Sequence, residues 1–208
     1  MDLSSWRSAF SERKFWIEAA YSVPLFVLVL WVLAELVAAV EKRPGARLAD
    51  PVLALFQPID VTWVTFALIY GAILLALGDL IRDPWRLIGA FRAYALVGLA
   101  RALGMWMLAL DPPEHMIVLR DPVVEFFSAA PSLTRDLFFS GHTSLMFLLF
   151  LLAAGKWRKM AFLLATAGVA GCVLAQHVHY TVDVFAAPFF TYGSWVLAQR
   201  LGLRPRAA

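Results

Sequence analysis

Six stretches of this chain run for 15 to 25 residues with few charges, at about 16–40, 61–81, 87–110, 141–155, 160–177 and 183–200. Within them apolar residues fill consecutive positions. They follow neither the period of two of a half-buried strand nor the single stripe of a surface helix. A helix rises 1.5 Å per residue, so about 20 apolar residues cross the ~30 Å of hydrocarbon in a bilayer. The pattern predicts an all-α, polytopic membrane protein with six transmembrane helices, the fourth of them short. No internal repeat, low-complexity segment or long linker divides the chain, so a single membrane domain over residues 1–208 is expected. The first stretch is not read as a removable signal peptide. It is too long, it holds Glu18 and Glu35, and no small-residue cleavage site follows it.

Composition strengthens this picture. Of the 208 residues 62% are hydrophobic, and the mean hydropathy is +0.74. Trp6, Trp16, Trp63, Trp85, Trp157 and Trp195 fall near the ends of spans, where indoles anchor at the membrane interface. The lone Cys172 lies within the fifth span, so no disulfide can form within the chain. The formal charge of +3 is a signal of topology rather than of nucleic-acid binding, because no basic patch is interleaved with stacking aromatics. With six spans both termini share one side. That side carries Arg7, Arg13, Lys14, Arg82, Arg86, Arg92, Lys156, Arg158, Lys159, Arg200, Arg204 and Arg206, twelve of the eighteen Lys and Arg. The opposite loops, about 41–60, 111–139 and 178–182, carry Lys42, Arg43, Arg47, Arg120 and Arg135. Cytoplasmic termini follow from the positive-inside rule. The compact loops and short termini point to a bacterial inner membrane.

Three of the four histidines lie in or beside the outer loops, which directs attention to that face. Ser140-Gly141-His142-Thr143 and His179-Tyr180-Thr181-Val182-Asp183 both stand where a span meets it. Ionisable groups at such depth are costly unless paired or hydrated. Imidazole attacks phosphorus or moves protons near neutral pH. A carboxylate four residues after a histidine can take its Nδ1–H and hold one tautomer. Glycine before His142 permits close backbone approach, and a helix starting there aims free N–H groups at an anion. One such histidine alone reads as a solvated or capping residue. The two motifs at one depth favour a site. His177 faces away from His179 on a helix, and His115, beside Glu114, reads as solvated. With no cysteine nearby and Asp183 engaged, neither metal nor other cofactor is expected.

Asp136 to Thr143, read as D-x-x-x-S-G-H-T, and His179 to Val184, read as H-Y-T-x-D-V, resemble the two signature motifs of the sphingomyelin synthase family. That family is a branch of the type-2 phosphatidate phosphatase superfamily. Weaker similarities lie in Gln57-Pro58-Ile59-Asp60, in the spacing of Arg92 and Arg101, and in Asp111-Pro112-Pro113. The chain departs from the family at Thr134-Arg135, where Cys-Gly is usual, and at Gly98, Leu108 and Pro188. It also lacks the superfamily's K-x6-R-P element and the Ser-Arg before the second histidine. A free phosphate monoester wants such guanidinium contacts. Their absence favours a phosphodiester held by its acyl chains.

The resemblance implies that His179 is the nucleophile, that Asp183 orients it, and that His142 moves the protons. It implies a phospholipid donor and a lipid-alcohol acceptor such as ceramide or diacylglycerol, with the bilayer itself as the medium. Water as acceptor would make the chain a phosphatase or phospholipase C. A non-catalytic lipid-binding protein is the remaining alternative. Arg101 and Arg135 are the candidate cations for the phosphoryl group. For Arg101, pairing with Asp60 or Asp79 to brace the bundle stays open; for Arg135, simple solvation does. Asp136 is expected to position His142 or to cap a loop. Ser140, Tyr180 and Asp60 complete the expected substrate-binding set.

Overall fold

The computed structural model describes residues 3–121 and 133–202. These form seven α-helices: α1 Leu3–Ser11, α2 Arg13–Glu41, α3 Thr62–Leu80, α4 Pro84–Met107, α5 Gly141–Leu152, α6 Lys156–Ala175 and α7 Thr181–Leu201. Helices α2, α3, α4 and α6 are long and apolar enough to cross a membrane, and α5 is a shorter apolar helix. Each of α2 to α7 lies within a few residues of one predicted stretch. The surface agrees with a lipid environment: Trp31, Leu74, Leu103, Phe185 and Phe189 are exposed, while Glu18, Arg92, Thr65, Gln176 and Asp183 are buried. A chain in water would invert that distribution.

Helix α1 has no counterpart in the apolar pattern. Its chain breaks at Glu12 (φ −94°, ψ 121°) before α2 begins. It is held by tertiary contacts: the Trp6 indole N–H donates to Ile81 O at 2.7 Å and Ser5 Oγ donates to Arg82 O at 2.9 Å. At α4, Asp83 accepts from the backbone N–H groups of Trp85 and Arg86, and Pro84 occupies the first turn. An oxygen cap followed by a proline with no N–H to leave unpaired is a strong helix start. Helix α4 ends at Met107, short of the predicted 110, because the next residues pair with the first outer loop. Ala46 N–H donates to Ala109 O, and Asp111 N–H to Ala46 O, at 2.9 and 3.0 Å. Gly45 is required there, since an added Cβ would overlap the backbone of Leu110. Helix α5 stops at Leu152, and the chain turns at Gly155 with φ +82°.

Helices α4, α5 and α7 pack on one another at the centre, with α2 laid along α4 and with α3 and α6 against α5. Small residues make the close approaches possible. Ala93, Ala187 and Ala198 are wholly buried between α4 and α7. Gly98, one of the departures from the family pattern, leaves room for Val29 and Leu33 of α2. The second packed cluster joins Phe66 and Ile69 of α3 to Met146 and Leu149 of α5 and Val169 of α6.

Arg92 is not a loop cation. It lies inside α4, 4% exposed, and its guanidinium meets Glu18 of α2 at 2.7 Å. Its Nε–H donates to Ala198 O at 2.9 Å, and Tyr21 Oη and Ser22 Oγ share the Nη1 that meets Glu18. It therefore leaves the basic-residue count, and Glu18 is half of a buried pair. Glu35 is exposed on α2. Arg204 and Arg206 lie outside the described residues.

Candidate active site

The two motifs meet where the N-terminal ends of α5 and α7 and the C-terminal end of α4 converge. Ser140 caps α5: its side chain accepts from Thr143 N–H at 3.3 Å, and its carbonyl accepts from Ser144. Its own N–H donates to the Asp183 carbonyl at 3.1 Å. That single backbone bond ties the α5 start to the first turn of α7. His142 follows one residue inside α5, and its ring centroid lies 6.3 Å from that of His179, the planes 63° apart.

His179 and Asp183 are both buried. His179 Nδ1 lies 3.4 Å from Asp183 Oδ2, which also accepts the Tyr180 N–H at 3.2 Å. The capping carboxylate of α7 is thus the same group that faces the imidazole. A neutral His179 with its proton on Nδ1 turns an unprotonated Nε2 away from Asp183. The contact is long for a hydrogen bond. Asp183 Oδ1 and His142 Nδ1 are buried and have no hydrogen-bond partner among the described residues.

Arg101 completes the cluster. Its Nε donates to Phe139 O at 3.1 Å and its guanidinium pairs with Asp136. This resolves the open alternatives, because Asp60 and Asp79 are engaged elsewhere. Asp79 pairs with Arg158 at 2.8 Å. Arg101 lies six residues before the C-terminal end of α4. The plane of its guanidinium lies over Gly141, where an added Cβ would collide with it.

Other expected binding residues have structural duties. Arg135 pairs with Asp111 at 2.8 Å and donates to Glu41 O at 2.7 Å. Tyr180 is buried, donates its hydroxyl to Asp111 O at 2.9 Å and accepts Leu48 N–H at 3.2 Å. Asp60 is exposed and accepts the Thr62 N–H at 2.9 Å at the start of α3. Ser140 is wholly buried in its cap. In each case the nearest polar backbone group takes the side chain, since an unpaired buried N–H or C=O is more costly than a free surface carboxylate. His177 sits in the turn after α6 with φ +56°, its Nδ1 3.2 Å from Glu114 O, away from the paired histidines.

Two carboxylates that support the site carry no signal in the sequence pattern. Asp50, in the first outer loop, accepts Thr181 N–H at 2.6 Å and Thr181 Oγ1–H at 3.0 Å, together with the N–H groups of Val52 and Leu53. It thereby clamps the start of α7. Partial burial would raise its pKa, but the bonds from Thr181 and Leu53 hold it below the ordinary value. Glu41, at the end of α2, accepts the N–H groups of Thr134 and Arg135 and the Thr134 hydroxyl, fixing the strand of chain that leads into Asp136. Among the described residues no three His, Cys, Asp or Glu side chains converge as metal ligands do.

Comparison with curated proteins finds no match. Residues 135–200 match the family model described as PAP2 superfamily C-terminal, a stretch that includes Asp136, both paired histidines and Asp183. The likeness is to that superfamily of phosphatases and phosphotransferases at large, and not to its sphingomyelin synthase branch in particular.

Proposed function

We propose that this chain is a membrane enzyme that moves a phospho-headgroup from a glycerophospholipid to a lipid alcohol such as ceramide, through a phosphohistidine. The observation that supports this best is the meeting of His142, the His179–Asp183 pair and the Arg101 guanidinium at the ends of three packed helices. His179 Nε2 attacks phosphorus and the bond to the diacylglycerol oxygen breaks, with His142 giving that oxygen a proton. His142 then takes the proton of the incoming hydroxyl, whose oxygen attacks phosphorus and releases His179. Splitting one displacement into two is the logic of covalent catalysis. Arg101 and the N-terminal ends of α5 and α7 stabilise charge on the phosphoryl oxygens. With water in place of the lipid alcohol, the same steps give a lipid phosphatase or phospholipase C.

In this reading the chain is one membrane domain that crosses the bilayer six times, both termini cytoplasmic. Helix α5 has 12 residues and spans about 18 Å, well short of the ~30 Å core. With its cytoplasmic end at the interface, His142 stands about 15 Å above that end and so roughly 15 Å beneath the outer surface. Arg101, six residues from the end of α4, lies about 9 Å in. Both depths put the cluster well below the interface. The non-helical chain at this depth is enclosed by protein, as a bilayer demands: Leu137, Phe139 and Ser140 are buried.

Purified protein in detergent, given labelled phosphatidylcholine, phosphatidylethanolamine or phosphatidylglycerol with and without ceramide, tests the proposal. Label on ceramide supports transfer, free phospho-headgroup supports hydrolysis, and no turnover of any lipid leaves a binding protein. His179→Ala and His142→Ala are each expected to abolish turnover, and near-normal rates in either would remove the mechanism.

A further inference from the structure

A phosphate held roughly 9–15 Å below the interface carries the first methylenes of its lipid deeper still. What the protein offers at that depth is a groove of about 550 Å³ between α4 and α7. Leu96, Leu99 and Leu103 form one wall and Phe189, Phe190 and Gly193 the other. Leu99, Leu103, Phe189 and Phe190 are exposed, so the groove opens sideways to lipid. One side of it adjoins the cluster described above through Ala100 and Phe190. Ala100, on its floor, precedes Arg101. Phe190 stacks on Phe139 with centroids 4.6 Å apart and planes 8° apart. The Phe139 carbonyl accepts from Arg101, and Phe139 leads directly into Ser140-Gly141-His142. Gly193 shapes the cleft, since an added Cβ there would have nothing within 4 Å.

We infer that this groove holds one acyl chain of the phospholipid substrate and so selects among donors by chain length. The inference rests on the phosphotransfer reading for the identity of the headgroup end. It concerns the same substrate at its other end. Lipid tails are as apolar as the groove, so the gain on entry comes from packing contacts rather than from escape from water. Selection therefore depends on the groove being open. Gly193→Phe fills it from α7 and Leu99→Trp from α4, and neither position touches the histidines.

The test uses the full-length protein in phosphatidylserine nanodiscs with a trace of phosphatidylcholine that carries a photoreactive diazirine on one acyl chain. Labelled residues are mapped by mass spectrometry. Labelling at Leu96, Leu103 and Phe190 is expected to exceed that of the exposed α2 face around Val27 and Trp31. It should be competed by unlabelled phosphatidylcholine, and each filling variant should reduce it about tenfold while α2 labelling persists. Labelling spread evenly over α2 and the groove would show ordinary bulk lipid, and would overturn the inference; so would labels that ignore both variants. In the same preparations, the variants should lose long-chain donor turnover at least tenfold more than dibutanoyl donor turnover. Equal loss on both donors would overturn it too. A wild-type protein that labels in the groove yet transfers no headgroup would refute the phosphotransfer reading alone.

Discussion

Gly141→Ala separates catalytic geometry from stability. The position opens α5, where alanine favours the helix over glycine by up to about 1 kcal/mol. Propensity alone thus predicts a protein at least as stable as the wild type. The new methyl group, however, would occupy the place of the Arg101 guanidinium. That guanidinium is fixed on two other sides, by Asp136 and by Phe139 O, so it can yield only by giving up one of them. The lost contact is a partly exposed ion pair, which contributes about 1 kcal/mol or less. Gain and loss nearly cancel, and the melting temperature in detergent should move by less than ~4 °C. Turnover should suffer far more. Removing one well-placed donor to transition-state charge costs about 10²–10³ in kcat, and a displacement of ~1 Å costs about 10². The expected result is a folded protein with near wild-type melting and kcat lowered by about two orders of magnitude. Arg101→Lys should behave alike, because a point charge cannot replace the planar fork. A Gly141→Ala protein within about threefold of wild-type kcat would refute the reasoning.

Three further outcomes follow from the supporting contacts. Asp50→Ala removes a carboxylate that accepts four hydrogen bonds at the start of α7 and in its own loop. It should destabilise the protein by about 2–3 kcal/mol and lower kcat by displacing His179; unchanged melting and activity would exclude the clamp. Because the Asp50 pKa is lowered on folding, its stabilisation is fully present above the ordinary carboxylate pKa and is lost as pH falls through the folded value. Asp50→Asn should flatten that acid limb in a melting-versus-pH series. Glu18→Ala leaves the Arg92 charge buried and should cost about 3–5 kcal/mol, while Glu18→Ala with Arg92→Met should recover much of it; additive losses in the cycle would argue against the pair. His177→Gly should raise the melting temperature by roughly 2–4 °C. His177 fills the left-handed position where glycine ends many helices, with Val178 N–H on Val173 O and His177 N–H on Leu174 O. A lower melting temperature would mean that its ring contacts with Phe56 outweigh the backbone cost.

Most helices were legible because crossing a bilayer imposes a length and a composition that survive without knowledge of neighbours. Their ends were less so. The predicted third span overran Met107, since Leu108 to Leu110 are as apolar as the helix and only the pairing with Ala46 draws them out of it. Helix α1 escaped because two hydrogen bonds to the α3–α4 turn hold it, and such contacts leave no periodicity. Local spacing was enough to place Asp183 beside His179, four residues apart across the start of α7. The joining of His142 to that pair depended on the packing of α5 against α7 and on the Ser140–Asp183 backbone bond. The structural partners of Arg135, Tyr180 and Asp60 were not legible, for the converse reason. Motif position says which residues lie near one another, but hydrogen-bond satisfaction decides where each side chain points.

By itself, then, the sequence determined an all-helical membrane chain with two histidines and an aspartate near the ends of apolar stretches, because hydrophobic length and i, i+4 spacing are local properties. Only the tertiary structure decided that Arg101 lies over Gly141, that Asp50 and Glu41 hold the site from outside the motifs, and that Arg92 belongs to Glu18. Those are contacts between residues 35 to 131 positions apart, and charge finds its partner through space, where the chain order carries no trace of it.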